Sequence, residues 1–395
     1  MNHIATQPVT VIGAATTIPV KKYVRILPKK FGFKFILESL FFVIISLYHK
    51  MIILKTITKL INMNDTKFQI KEYLSHKDSK FNSISNIEKL PGGSSNETWV
   101  INYNKKEKII LRRHHAGLND KDNLYQPLSL EIEASVMEMA YNNNIPVPNI
   151  IYKLNNETIL GEGFFMDFVE GMSLGNKIVQ NNELHELNPN LAFQCGDILA
   201  KIHSIPYSQI KNLTTSMASD ELAKYRGVYR DFALNIPVFN VAFKWLENHL
   251  PQNNDNKCLI HGDFRNGNIL VSPKKGITSI LDWELLHVGD IHEDLAWICV
   301  NSWRFGKINL PVGGFGKRID FYNAYEKISG KVLNKNSLKF WEVMGSLKWG
   351  IMCLKMYNIY NSGYDRSVDR ASIARRVSET EIDLLRLITK EQDND

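Results

Sequence analysis

Apolar positions change their period part-way along the chain. Between residues 88 and 112, short runs alternate with breakers. Lys89-Leu90 leads into Pro91-Gly92-Gly93-Ser94-Ser95-Asn96, while Thr98–Tyr103 and Lys108–Arg112 flank the polar triplet Asn104-Lys105-Lys106. Pro, Gly and Asn punctuate strands, so this stretch predicts a strand, a turn and then a two-stranded hairpin. Ile132, Val136, Met139 and Ala140 follow at i, i+4, i+7 and i+8, the buried face of a helix. Pro146 and Pro148 close that segment, and Gly163–Val169 predicts another strand. Beyond Glu170-Gly171 the texture is helical. Leu191, Cys195, Ile198, Leu199 and Ile202 share one face of Leu191–His203, Phe239–Leu250 is similar, and 336–361 and 370–390 predict further amphipathic helices. Strands first and helices afterwards imply an α+β chain with a lobe junction near residues 167–171. The expected organisation is an extension over 1–62, a β-rich lobe over 63–169 and a mainly helical lobe over 170–395.

Charge separates the extension from the rest. The chain carries a formal +7, but residues 1–62 hold eight Lys, Arg25 and only Glu38, a net +8, which leaves −1 for the remainder. A body without basic excess lacks the electrostatic footprint of a nucleic-acid binder. Within the extension, Phe35–Tyr48 is apolar except for Glu38, yet no uninterrupted run reaches the ~18 residues of a membrane span. Basic residues beside an apolar segment would suit weak contact of residues 21–60 with an anionic lipid surface. An ordered protein beginning near Met63 is the favoured alternative. Cys195, Cys258, Cys299 and Cys353 lie far apart with no CxxC or Cys/His pairing. Buried structural thiols in a reducing, cytoplasmic setting are therefore expected.

The chemistry concentrates in Leu259-Ile-His-Gly-Asp-Phe-Arg-Asn-Gly-Asn-Ile-Leu-Val271 and Ile280-Leu-Asp-Trp-Glu284. Phosphoryl transfer asks a protein for a carboxylate near the attacking hydroxyl and for hard oxygen ligands to Mg²⁺. Asp263 and Asn268 stand five apart, as in the kinase pattern H-R-D-x-x-x-x-N, with Gly262 in place of the Arg. Asn268–Ser272 predicts a strand, Pro273–Gly276 a turn and Ile277–Asp282 the returning strand. That hairpin puts residue 281 or 282 opposite Asn268, and cross-strand neighbours lie about 5 Å apart, so Asp282 could reach the same ion. The four positions H-G-D-x₄-N arise by chance in roughly 0.2% of chains of this length. An ordinary turn is thus the weaker explanation.

These residues closely resemble the aminoglycoside-phosphotransferase and choline-kinase superfamily, whose fold is similar to that of protein kinases. The likeness runs from about Leu90 to Leu387. It is nearest to the branch resembling the kinase-like domain fused to certain acyl-CoA dehydrogenases, through Leu90–Asn96, Leu281–Leu285, Gly289–Ala296, Ser302–Gly306 and Pro311–Gly316. The resemblance implies a two-lobed protein-kinase-like fold that uses ATP and Mg²⁺ to phosphorylate a hydroxyl of a small molecule. Asp263 would be the catalytic base or hydroxyl-orienting carboxylate, and Asn268 and Asp282 the metal ligands. Gly92, Gly93, Ser94, Ser95 and Asn96 would cover the phosphates, while Asp167, Phe168 and Val169 would meet adenine. Asp294 would brace the catalytic loop, with His261, Arg265 and Glu284 in support. Arg112 stands where the superfamily usually has a phosphate-pairing Lys, and its expected helix partner is Glu133, with Glu131 as the alternative; an inactive nucleotide-binding regulator is therefore a second reading. Asp282-Trp283-Glu284 replaces Asp-Phe-Gly, which argues against a regulated protein kinase. Trp283, Trp297 and Trp303 are expected in the core, with Trp303 beside Arg304 as the alternative acceptor-side pair. The mixed charge of 297–361 favours an anionic acceptor, such as a hydroxy acid or hydroxyacyl thioester, over an aminoglycoside.

Overall fold

The computed structural model describes residues 65–90, 96–114, 128–187, 189–251 and 257–389. The extension 1–62 with its lipid-contact segment, and the loop residues Gly92, Gly93, Ser94 and Ser95, lie outside the described residues. The chain divides into two compact units, residues 1–72 and 73–395. A helix, α1, covers 65–77. Among the described residues no helix is long and apolar enough to cross a membrane.

The amino-terminal part of the second unit is an antiparallel sheet. Its strands are β1 (Asn86–Lys89), β2 (Asn96–Tyr103), β3 (Glu107–His114), β4 (Ile150–Leu154) and β5 (Gly163–Asp167), in the order β1-β2-β3-β5-β4. Asn104 and Lys105 take positive φ at the β2–β3 turn. That conformation suits the right-handed twist of a tight hairpin. Alternation buries Trp99, Ile101, Ile109 and Leu111. The helix α2 (Leu130–Asn142) starts where Ser129 accepts a hydrogen bond from the Ile132 amide at 3.3 Å, a side-chain cap.

The carboxy-terminal part is mainly helical: α3 (Gly175–Gln180), α4 (Leu191–Ser204), α5 (Ala218–Asp231), α6 (Pro237–Asn248), α7 (Ile291–Trp297), α8 (Arg318–Ser329), α9 (Lys335–Asn361), α10 (Val368–Ala374) and α11 (Val377–Thr389). The single helix expected over 370–390 is in fact two, broken at Arg375–Arg376. Within α9, Leu338 to Leu354 is buried on nearly every face, as suits a central helix. One core runs from α2 and Phe164 through α4 to Ile260, Ile280 and Trp283, and a second joins α5, α6, α9 and α11 through Tyr225, Phe239, Phe340 and Leu384. The architecture is α+β with two lobes, a sheet followed by a helical body. The four cysteines are free and buried.

Short strands inside the helical lobe carry the functional segments. β6 (Lys257–Ile260) pairs antiparallel with β9 (His287–Asp290), and β7 (Ile269–Ser272) with β8 (Gly276–Ile280). The chain leaving β5 is stitched to this hairpin. Met172 and Val271 exchange backbone hydrogen bonds of 2.8 and 3.0 Å. A Cβ on Gly171 would lie 3.0 Å from side-chain atoms of Leu270 and Thr278, so the crossing chain runs tight against the hairpin.

Candidate active site

The loop 261–268 joins β6 to β7 and carries Asp263 and Asn268. Its backbone needs Gly262, which has φ +82°, and a Cβ there would lie 2.5 Å from the Leu285 carbonyl oxygen. An Arg, as in the kinase pattern, does not fit this turn. The fully buried carboxylate of Asp294, on α7, receives the His261 amide at 2.7 Å and the Gly262 amide at 2.9 Å. His203 of α4 approaches the same carboxylate at 3.2 Å and holds the Tyr325 hydroxyl at 2.9 Å with its other nitrogen. Burial by itself would raise the pKa of Asp294. The hydrogen bond and charge of His203, with the charge of His261, outweigh it and hold the carboxyl below its usual range.

His261 is buried beneath the loop. Burial pushes its imidazole pKa down, against the nearby carboxylates of Asp294, Asp263 and Asp282, which pull it up. A neutral ring fits the contacts, since the Asp263 amide donates to Nδ1 at 3.2 Å while Nε2 lies 3.2 Å from the Leu281 carbonyl. The ring thus carries its proton on Nε2 and ties the start of the loop to the end of the hairpin.

Asp263 accepts three hydrogen bonds. Arg265 Nε and Trp297 Nε1 both reach Oδ1 at 2.8 Å, and Asn268 Nδ2 reaches Oδ2 at 2.6 Å. In the hairpin, a register shift at Leu270/Val271 leaves Ile269 opposite Ile280, and the Leu281 amide donates to the Asn268 carbonyl at 2.8 Å. Residue 281, not 282, is therefore the partner of Asn268. Asp282 comes next with φ +64°. That is an uncommon conformation for a non-glycine residue and one that collects at functional sites.

Across the cleft, Arg112 of β3 meets three carboxylates. Nη2 bonds Asp282 and Glu284 at 2.9 Å each, and Nε lies 3.2 Å from Glu133 of α2. Glu131, the alternative partner, is exposed, and its backbone amide faces Glu162 instead. Burial pushes the Glu133 carboxyl up to about 7, although Arg112 pulls it down. Asn96 donates to Glu284 at 3.2 Å, while its Oδ1 and Glu133 Oε2 are buried without a partner. Arg112 thus draws the carboxylates of Asp282, Glu284 and Glu133 together, oxygen donors of the kind a hard divalent cation takes. Among the described residues no three His, Cys, Asp or Glu side chains form a metal cage. Mg²⁺ does not require one, because it takes one or two protein oxygens beside phosphate and water. Asp282 and Asn268 supply oxygens of that kind.

Asp167 ends β5, and its amide donates to the Asn149 carbonyl at 3.0 Å. Phe168, expected within the strand, instead follows it with Val169 and lies under the Lys108 ammonium at 4.9 Å from its ring centroid. Trp303 is core, as the leading expectation had it, and the acceptor-side alternative with Arg304 is not supported. Arg304 is buried, donating from Nε and Nη2 to the Cys299 carbonyl and from Nη2 to Glu342, so it braces α9. Trp303 is buried against Trp297 and Trp349, with the Arg265 guanidinium 4.5 Å from its ring centroid. Sequence reasoning gave Trp297 and His203 packing roles but not their contacts with Asp263 and Asp294. Trp297 stands three residues after Asp294 on one helix, a spacing that puts both on one face.

Comparison with known proteins agrees with this geometry. The phosphotransferase enzyme family matches residues 86–328. The chain is 25% identical over 253 residues to acyl-CoA dehydrogenase family member 11 of Gallus gallus, a span of 62% of this chain and 31% of that one. It is 22% identical over 336 residues to the Pongo abelii protein of the same name, 80% of this chain and 42% of the relative. It thus spans less than half the length of these curated relatives. Among solved structures, a Ralstonia eutropha protein provisionally described as an aminoglycoside phosphotransferase superposes with a TM-score of 0.64 at 17% identity, over 83% of this chain and 99% of that one. Plasmodium vivax ethanolamine kinase gives 0.52 at 14%, over 78% and 86%. With the family match covering well over half its length, the chain belongs to the phosphotransferase enzyme family.

Proposed function

We propose that the protein transfers the γ-phosphate of ATP to a hydroxyl of a small metabolite in a Mg²⁺-dependent reaction. The observation that carries this reading is the pairing of the Asp263 carboxylate with the Asn268 carboxamide at 2.6 Å. Asp282, at the end of the same hairpin, accepts from Arg112 at 2.9 Å. Asp263 would orient the acceptor hydroxyl and take its proton as the oxygen bonds to Pγ and the Pγ–O bond to ADP breaks. Asn268 and Asp282 would hold Mg²⁺, which when bound neutralises charge on the phosphate oxygens. Arg112 would contact phosphate in place of the usual Lys, as a planar fork in place of a point charge. Asn96 and the glycine loop before it would close over the phosphates, and the backbone at Asp167–Val169 would receive adenine. Structural neighbours crystallised with ADP and with AMP-PNP support nucleotide use.

For the acceptor, the acyl-CoA dehydrogenase names of the curated relatives support a hydroxy acid or hydroxyacyl thioester. So does Arg265, a cation beside Asp263. Neighbours solved with spectinomycin or kanamycin share the fold at 13–14% identity, which leaves an aminoglycoside as the lesser reading. A nucleotide-binding regulator is favoured by one observation only, the engagement of Arg112 by three carboxylates. The test is a screen of hydroxylated metabolites with MgATP, read by mass spectrometry for phosphorylated products. Asp263→Ala and Asn268→Ala are expected to lower turnover by roughly 10³-fold or more while the fold survives. Undiminished transfer in both variants would refute the assignment, and ATP-dependent stabilisation with no product on any acceptor would favour the regulator.

A further inference from the structure

A carboxylate oxygen has two lone pairs, and the two oxygens of Asp263 are used unequally. Oδ1 accepts from both Arg265 Nε and Trp297 Nε1 at 2.8 Å, which fills it. Among the described residues Oδ2 accepts only from Asn268 Nδ2, at 2.6 Å, and keeps one lone pair. We infer that Trp297 is a positioning residue that occupies Oδ1 and so leaves Oδ2 as the oxygen offered to the acceptor hydroxyl. The inference rests on the phosphotransfer reading above and extends it to a residue that never touches substrate.

Two features suit Trp297 to this task. Its indole is a neutral donor, so it fixes the carboxylate plane without adding a second cation to compete with Arg265 for the negative charge. It is also held rigidly. The side chain is buried, Trp303 packs edge-on at 5.2 Å between centroids, and the Lys348 ammonium sits 4.8 Å from its own ring centroid. A cation over the ring polarises the N–H and makes it a stronger donor. The same helix face presents Asp294 three residues earlier, whose carboxylate receives the His261 and Gly262 amides. Helix α7 thus holds the loop at two levels, an acceptor for its backbone and a donor for its reactive side chain.

The contact and its consequence can be read separately in the full-length protein. With ¹⁵N-labelled tryptophan, the indole N–H resonance missing from Trp297→Phe identifies Trp297. In Asp263→Ala that resonance is expected to move upfield and exchange faster with solvent; a resonance indifferent to the substitution overturns the inference. In MgATP turnover, to water or to a pool of hydroxylated metabolites, Trp297→Phe is expected to lower kcat roughly tenfold or more, the effect of losing one hydrogen bond to a charged acceptor. KM for ATP should stay within about twofold. Trp297→His, which keeps a ring N–H, should recover part of kcat, and it also serves if the Phe variant does not fold. An unchanged kcat, or a loss confined to KM and melting temperature, overturns the positioning role. Absence of turnover in the wild type defeats the phosphotransfer reading instead, and the resonance still decides the contact.

Discussion

The two sides of the cleft are built on opposite plans. On the loop side each carboxylate is matched. Asp263 takes three N–H donors, and Asp294 takes two amides and the His203 ring. On the opposite side, Arg112 faces Asp282, Glu284 and Glu133 together. Its Nε stands 3.2 Å from Glu133 yet is not aligned for a hydrogen bond, and Asn96 Oδ1 and Glu133 Oε2 have no partner. Buried polar groups are almost always satisfied, so unsatisfied ones mark where something else belongs. The loop-side carboxylates are held by the protein's own donors, whereas the Arg112 side gathers three carboxylates about one guanidinium.

The largest expected break in this contrast is Asp294→Ala. It strands two buried amides and a histidine, and should destabilise the fold by about 3–5 kcal/mol. Chemical denaturation would show it, and loss of stability below about 1 kcal/mol would mean that the loop is not held from beneath. Next is Arg112→Met, which leaves three carboxylates around no cation. Binding of MgATP should weaken by about 1.5–3 kcal/mol, tenfold or more, with Arg112→Lys in between. Calorimetric titration would measure it, and unaltered affinity would show that Arg112 serves the fold alone.

The smallest effect reaches a layer behind the loop. His287 contacts the Leu285 carbonyl at 2.9 Å and Glu293 at 3.1 Å. Burial opposes its charge, but the charge and hydrogen bond of Glu293 prevail and push it up to about 9 from 6.5. A raised folded-state value stabilises fully below pH 6.5, and the benefit is lost as pH rises through about 9. The wild type should lose stability progressively over that window. His287→Gln should be flat there in pH-dependent melting, and an identical slope in both proteins would remove His287 from the account.

The main parts of this site were legible because they are local in sequence. The spacing of Asp263 and Asn268 and the turn at Pro273–Gly276 are short-range features, and the hairpin register followed to within one residue. The one-residue ambiguity was settled by a bulge that no hydrophobic pattern marks. The expectation of Glu133 over Glu131 came from the family resemblance, helix periodicity showing only that both could not face Arg112, and Glu133 is the one that Arg112 meets. Long-range partnerships were not legible. Arg304 has the composition of a binding residue, but its partner Glu342 lies on another helix. Trp297 looks like core from sequence and is core, and only the direction of its N–H sets it apart. The break near Arg375 falls where no Pro or Gly announces it.

The stitch between Met172 and Val271 limits how the lobes can move. Because the chain is fastened to the hairpin from Met172 onward, Phe168–Gly171 is a span of only four residues between the sheet and that anchor. The Ile280 amide, bonded to the Pro146 carbonyl at 2.8 Å, ties the other strand of the same hairpin back toward the sheet. The stretch proposed to receive adenine would then begin in this short span, so a base bound there would rest on backbone already held from both ends.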